Sequence, residues 1–209
     1  MARWHLPPIA RFMAAAVAWL IALTVVWSQV SAWTSYPVAW LTHVALEQGA
    51  PMWVRKVHVR PGVIEAETTI EIAVPQAGGR KAEFSVEASP ARYAYGLPIL
   101  LALLLAAGWR RRGLWQRALA GYVLLWPTQA LSTVMFLLMQ MISTAQFNLR
   151  TLRADMWQLE AIIYGYQAGA LVLPTLVPVM LWLWLDRAYV AEVLVPGFRR
   201  FAGQSAVPR

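Results

Sequence analysis

The sequence predicts a membrane α-helical protein: four transmembrane helices, with a small external β-rich insertion between helices 1 and 2. Three observations carry this reading. Four apolar stretches, Phe12–Trp27, Tyr95–Trp109, Ala118–Ile142 and Ile162–Leu185, run along the chain, and a hydrocarbon core takes roughly 20 apolar residues in helical form. The chain is 59% hydrophobic and 13% charged, with a mean hydropathy of +0.50. A soluble domain has about 45–50% apolar and about 25% charged residues, so the surplus apolar surface calls for lipid. Between the first and second stretches the apolar period changes from helical to two, the period of a strand.

The predicted organisation is a tail and first span over residues 1–32, an external region over 33–91, and a three-helix membrane region over 92–209. The spans of that region fall at about 92–109, 115–142 and 160–186, followed by a cytoplasmic tail. The first span reaches full length if the helix continues through Ser28–Ala32, and the second if it starts near Arg92. The first span also has features of a secretory signal: Arg3 and Arg11 give a basic flank, and Val30-Ser31-Ala32 resembles a cleavage site. Its length, and the bulk of Trp27 and Trp33 around that site, favour a retained span.

After Ala32, Trp33, Tyr36, Val38, Trp40, Leu41, Val44 and Ala45 recur at helical spacing. They predict an amphipathic helix over Trp33–Leu46, on the outer membrane surface or beneath the external domain, ended by Gly49-Ala50-Pro51. Three strands are predicted next. In the first, Val54, Lys56, His58 and Arg60 alternate against Arg55, Val57 and Val59. In the second, Val63–Val74, residues Glu65, Glu67 and Glu71 share a face. A turn at Pro75 and Gly78-Gly79 leads to the third, Lys81–Ala88, with Phe84 and Val86 opposite Glu83, Ser85 and Glu87. Three short strands bury little core alone, so this sheet must lean on the membrane, on the amphipathic helix or on a partner.

The third span contains Pro127 and the fourth Pro174 and Pro178. Each proline removes a backbone donor, and the freed carbonyls need partners within protein, so the fourth span is expected to pack in a bundle. Gly165-Tyr166-Gln167-Ala168-Gly169 is a small-xxx-small pattern that permits close helix approach.

The net charge of +8 does not point to nucleic acid, because of where it lies. Arg3, Arg11, Arg110–Arg112, Arg117, Arg187, Arg199, Arg200 and Arg209 flank the apolar runs on one predicted side, opposed only by Asp186 and Glu192. Charges on the other side balance. This is the pattern of a membrane protein with both termini in the cytoplasm and residues 33–91 outside, its basic edge touching anionic lipid.

No catalytic, cofactor or metal residue is predicted. The chain has no cysteine, which removes thiolate chemistry and cysteine-based metal sites. His5, His43 and His58 have no helical i, i+4 pairing, and no nucleophile motif occurs. Arg92, Arg117, Glu160 and Asp186 sit at span ends, where they anchor to headgroups. Gln129, Ser132 and Thr133 line one face of span three, with Gln140 further along, and Tyr164 and Gln167 share a face of span four. Two readings apply to these groups: interhelical hydrogen bonding, or a polar groove that receives a partner helix. With Gly165, Gly169, Pro174 and Pro178 they form the candidate docking or packing surface.

Two passages carry a family resemblance. Pro90, Tyr93, Tyr95, Gly96, Leu97, Pro98, Ala102 and Leu103 join the external region to span two, and Tyr166-Gln167-Ala168-Gly169, Leu173-Pro174, Val177-Pro178 and Trp182 lie in span four. Together with the layout of one span, an external region and three further spans, they resemble the exosortase H-associated membrane proteins. Ser89 departs from the asparagine of that pattern. The resemblance implies an accessory role beside an exosortase, a multi-span cysteine transpeptidase or protease acting on C-terminal sorting helices of exported proteins, and it transfers no catalytic residue. Expected partners are lipid, an exosortase and the sorted substrate's helix, with no nucleic acid. Alternative readings are a small membrane transporter or secretion-complex component, and a membrane enzyme using Glu160, His58 or Asp186.

Overall fold

The computed structural model describes residues 8–74, 80–108 and 112–196. Its elements are α1 (Pro8–Thr34), α2 (Tyr36–Gly49), β1 (Val54–Arg60), β2 (Val63–Val74), β3 (Arg80–Ala88), α3 (Gly96–Gly108), α4 (Leu114–Thr144), α5 (Leu149–Leu152), α6 (Met156–Tyr166) and α7 (Leu173–Leu185). A 3-10 turn, Pro90–Tyr93, precedes α3, and a π-helical segment, Gln167–Val172, joins α6 to α7. Among the described residues, three helices are long and apolar enough to cross a membrane: Pro8–Thr34, Leu114–Thr144 and the continuous rod Met156–Leu185.

The second expected span differs. It does not start near Arg92: residues 90–93 form the 3-10 turn, and α3 has 13 residues. At 1.5 Å per residue this is about 20 Å, short of a core of about 30 Å. Two prolines account for the start. Pro90 sets the turn, and Pro98 has no N–H to return to the Ala94 carbonyl, so one bond of the first helical turn is lost there. Trp109, Arg110 and Arg111, like the predicted turn at Pro75 and Gly78-Gly79, lie outside the described residues.

α1 runs unbroken to Thr34, so Val30-Ser31-Ala32 lies within a helix. The predicted amphipathic helix appears as α2, beginning at Tyr36 because Trp33 and Thr34 still belong to α1. It buries Val38, Ala39, Thr42 and Leu46 and leaves Trp40 exposed.

The strands form one antiparallel sheet in the order β1-β2-β3. Ile64, Ala66, Thr68 and Ile70 face inward, and Glu65 and Glu67 face outward. One alternation is corrected: Val54 faces inward with Val57, both buried, because a bulge between Val54 and Lys56 resets the pleat. A second irregularity in β2, between Glu67 and Glu71, is bridged by the Thr68 hydroxyl, which donates to the Phe84 carbonyl at 2.6 Å.

Two cores lie at opposite ends of α4. At the sheet end, Leu46 of α2, Val57, Ile64 and Val86 of the sheet, Leu137, Met141 and Ile142 of α4, Leu152 of α5 and Leu159 of α6 pack together. The sheet therefore leans on α2 and on the far end of the bundle, and Trp53 fastens it by donating its indole N–H to the Leu152 carbonyl at 2.5 Å. At the arginine end, Phe12 of α1, Leu104 and Ala107 of α3, Ala118 of α4 and Trp182 of α7 converge. Phe12 stacks on Trp182 with ring centroids 5.4 Å apart and lies 5.9 Å from Tyr189. The start of α1 thus sits beside the end of α7.

Candidate functional site

The two passages that stood out in the sequence meet in space. The segment from Pro90 to Pro98 leaves β3 and enters α3 against the kinked rod of α6 and α7. A Cβ added to Gly96 would lie 2.7 Å from Pro178 Cγ, 3.2 Å from the Pro174 carbonyl oxygen and 3.6 Å from Gln129 Nε2. Only a glycine lets α3 start this close to both prolines. Pro178 also has no N–H for the Pro174 carbonyl, and the bare Gly96 backbone faces that oxygen.

The polar residues of α4 answer other carbonyls that prolines leave open. Ala94 O loses its helical donor because position 98 is proline, and Gln129 Nε2 donates to it at 3.4 Å, a long bond made alongside that from the Leu97 N–H at 3.3 Å. Pro174 likewise supplies no N–H to the preceding turn, which widens into π register, where its partner would be Gly169 O. The Ser132 hydroxyl lies 2.5 Å from that oxygen and 2.9 Å from Thr128 O of its own helix. Thr133 donates to Gln129 O at 2.9 Å. Gln129, Ser132 and Thr133 are all buried, so their hydrogen bonds face inward.

Glycines set the remaining contact. A Cβ on Gly169 would meet the Ser132 Cα at 3.6 Å, and one on Gly165 would meet Met135 Sδ at 2.7 Å, which places the small-residue pattern against α4. Tyr93 is buried, its ring 5.4 Å from Phe136, which in turn lies 6.3 Å from Tyr166. The Arg92 guanidinium sits 5.5 Å above the Phe136 ring. Burial pushes the Tyr93 hydroxyl up to about 12, and Tyr95 upward as well, so both phenols stay neutral through physiological pH.

Tyr164 and Gln167 are not part of this junction. Both are exposed on the outer face of the rod. Sequence reasoning also missed Met135 and Phe136, apolar residues whose only signal is their position one turn beyond Ser132 and Thr133. Arg117 and Asp186, expected as separate headgroup anchors, instead hydrogen-bond to each other, with Asp186 buried. The reason is that α4 begins where α7 ends.

The chemistry of the junction is hydrogen-bond donation to backbone carbonyls and close packing at glycine, which suits a rigid coupling between sheet and bundle. His58 contacts Glu67 at 3.0 Å and His43 contacts Val57 O at 3.3 Å. Among the described residues no three His, Asp or Glu side chains gather as metal ligands. Ser132→Ala is expected to lower bundle stability by about 1 kcal/mol, the usual scale of an interhelical hydrogen bond in a membrane, measured by unfolding in mixed micelles.

Compared with known proteins, residues 6–189 match the family model described as exosortase H-associated membrane protein. No curated protein and no solved structure matches.

Proposed function

The chain belongs to the exosortase H-associated membrane protein family, and from that premise we propose that it is a non-enzymatic inner-membrane accessory subunit of an exosortase-type protein-sorting system. It binds the exosortase or the C-terminal helix of the exosortase's substrate. In this reading α3 together with the residues that flank it makes a fourth crossing, both termini are cytoplasmic and residues 33–91 are periplasmic. The start of α1, the end of α3, the start of α4 and the end of α7 share the arginine end, as alternating crossings require.

The observation that carries the reading is the junction of Pro90–Pro98 with Gln129, Ser132, Pro174 and Pro178. It couples the sheet to the bundle, so that an event at the sheet is felt by the membrane helices. The face offered to a partner helix is the one bearing Tyr164 and Gln167. The Gln167 side chain is exposed within a membrane-crossing rod, and its amide makes no hydrogen bond among the described residues. An amide facing lipid is costly unless another helix supplies a partner.

Purification in mild detergent with this chain as bait is expected to recover the exosortase, and Gln167→Leu to reduce that recovery. Repeated recovery of unrelated membrane proteins alone overturns the proposal. Because the chain lacks cysteine, single cysteines report topology directly. Ser85→Cys is expected to be labelled from the periplasm and Gly113→Cys to be protected.

A further inference from the structure

The sheet has two edges, and they are finished differently. At β1, α2 closes the edge: the Val57 N–H donates to the Glu47 carboxylate at 3.1 Å, and the Val57 carbonyl lies 3.3 Å from His43 Nδ1. At β3 the edge is open. The Phe84 carbonyl points back into the sheet, where Thr68 binds it, so strand alternation turns the N–H and C=O groups of Ser85 and Glu87 outward. Among the described residues, no bond from another element reaches either backbone.

Beside this edge lies a groove of about 710 Å³ between β3 and the sheet end of the bundle. Its walls are Ser85 and Glu87 on one side and Phe136, Gln140, Ser143 and Tyr166 on the other. An edge with unpaired backbone groups invites another strand, and proteins that leave such an edge open commonly use it.

The charges select what enters. On the outer face of β3, Glu83 is held by Arg55 through two bonds of 2.6 and 2.5 Å. Glu87 has no ion-pair partner among the described residues and stands in register opposite Glu65, a like-charge cross-strand pair. Glu65 pairs with Arg60 at 3.9 Å, on its far side in β1. The side of Glu87 away from Glu65 faces the groove.

We propose that the open edge of β3 binds an extended basic segment of a partner protein as a fourth strand, with a Lys or Arg opposite Glu87 and an apolar side chain turned toward Phe136. This deepens the accessory reading and rests on it for the partner's identity, while the pairing itself is tested separately.

The full chain in nanodiscs of zwitterionic lipid, which offer a basic peptide no anionic surface, is titrated with a fluorescent ten-residue peptide alternating arginine and valine. Empty nanodiscs are the control. Saturable binding is expected. Replacing arginine by glutamate, or N-methylating the backbone at alternate residues, is expected to weaken it at least about tenfold, because the second change removes the ladder donors and leaves the charge intact. Glu87→Lys is expected to weaken it by roughly tenfold, with tryptophan fluorescence reporting an unchanged melting midpoint. Ser85→Pro is expected to act likewise by removing one edge donor. No binding, equal binding of the N-methylated peptide, or indifference to Glu87→Lys overturns the pairing. The exosortase is pulled down in parallel. Recovery without peptide binding sinks the edge and spares the accessory role, and peptide binding without recovery does the reverse.

Discussion

Gly96→Ala is expected to lower the unfolding free energy of the bundle by about 2–3 kcal/mol, as a methyl group forced into a filled site does. The new Cβ would stand 2.7 Å from Pro178 Cγ and 3.2 Å from the Pro174 carbonyl oxygen, whereas carbon atoms pack best at about 3.5–4.0 Å. Neither neighbour can step aside: one belongs to a proline ring and the other to the backbone of the rod. Gly165→Ala is the informative comparison. Its Cβ would also meet an atom at 2.7 Å, but that atom is Met135 Sδ. A thioether on a flexible stem moves out of the way, so the cost should stay below about 1 kcal/mol. Unfolding in mixed micelles followed by tryptophan fluorescence ranks the two variants. If Gly165→Ala proved the more damaging, the grip of α3 on Pro174 and Pro178 would not be what holds the sheet to the bundle. The same Gly96→Ala protein is expected to lose recovery of the exosortase more than Gly165→Ala does, since it loosens the junction itself.

What a sequence shows of such a protein depends on whether the determinant is local. The strands were readable because Glu65 and Glu67 alternate with Ile64, Ala66 and Thr68 within a single segment. The amphipathic helix was readable as a helix from the recurrence of Trp33, Tyr36, Val38, Trp40, Leu41, Val44 and Ala45, but the face it buries is Val38, Ala39, Thr42 and Leu46, and Trp33, Tyr36 and Trp40 are exposed. The bulge between Val54 and Lys56 was not readable, because both registers leave a plausible mixture of valine and basic residues on each face. The polar face of α4 was visible as a spacing of Gln129, Ser132 and Thr133. Its purpose was hidden, since Gln129 and Ser132 answer carbonyls that lose a helical donor at Pro98 and Pro174, in other helices. A proline marks a missing donor wherever it occurs, but only the tertiary arrangement says which side chain takes its place. The short α3 is a similar case: hydropathy near Arg92 permits a helix, and Pro90, Pro98 and the fit of Gly96 against Pro174 and Pro178 set where it begins.

Arg117 and Asp186 give the other large expected effect. Each looked like a helix-end charge free to reach headgroups, a setting in which replacement changes little. Instead the Asp186 side chain is 3% exposed and that of Arg117 20%, and Arg117 Nη1 donates to Asp186 Oδ1. Arg117 also reaches the Arg112 carbonyl at 3.2 Å and the Gly113 carbonyl at 3.4 Å, so one side chain joins the start of α4, the loop before it and the end of α7. Removing one member of a buried charge pair costs up to about 3–5 kcal/mol. Arg117→Met is therefore expected to destabilise the bundle by that amount in mixed-micelle unfolding. The double variant Arg117→Met with Asp186→Leu is expected to regain most of it, because apolar replacements of similar volume remove the desolvation cost along with the attraction. A double variant as unstable as the single one would mean that the three-way tie through the loop carbonyls matters more than the charge pair. Orientation separates the two roles of arginine at this end. Arg117 is neutralised within the fold, so its loss should leave single-cysteine labelling at Gly113→Cys unchanged. On the proposed orientation, replacing Arg110, Arg111 and Arg112 together should let that site be labelled from the periplasm in part of the population.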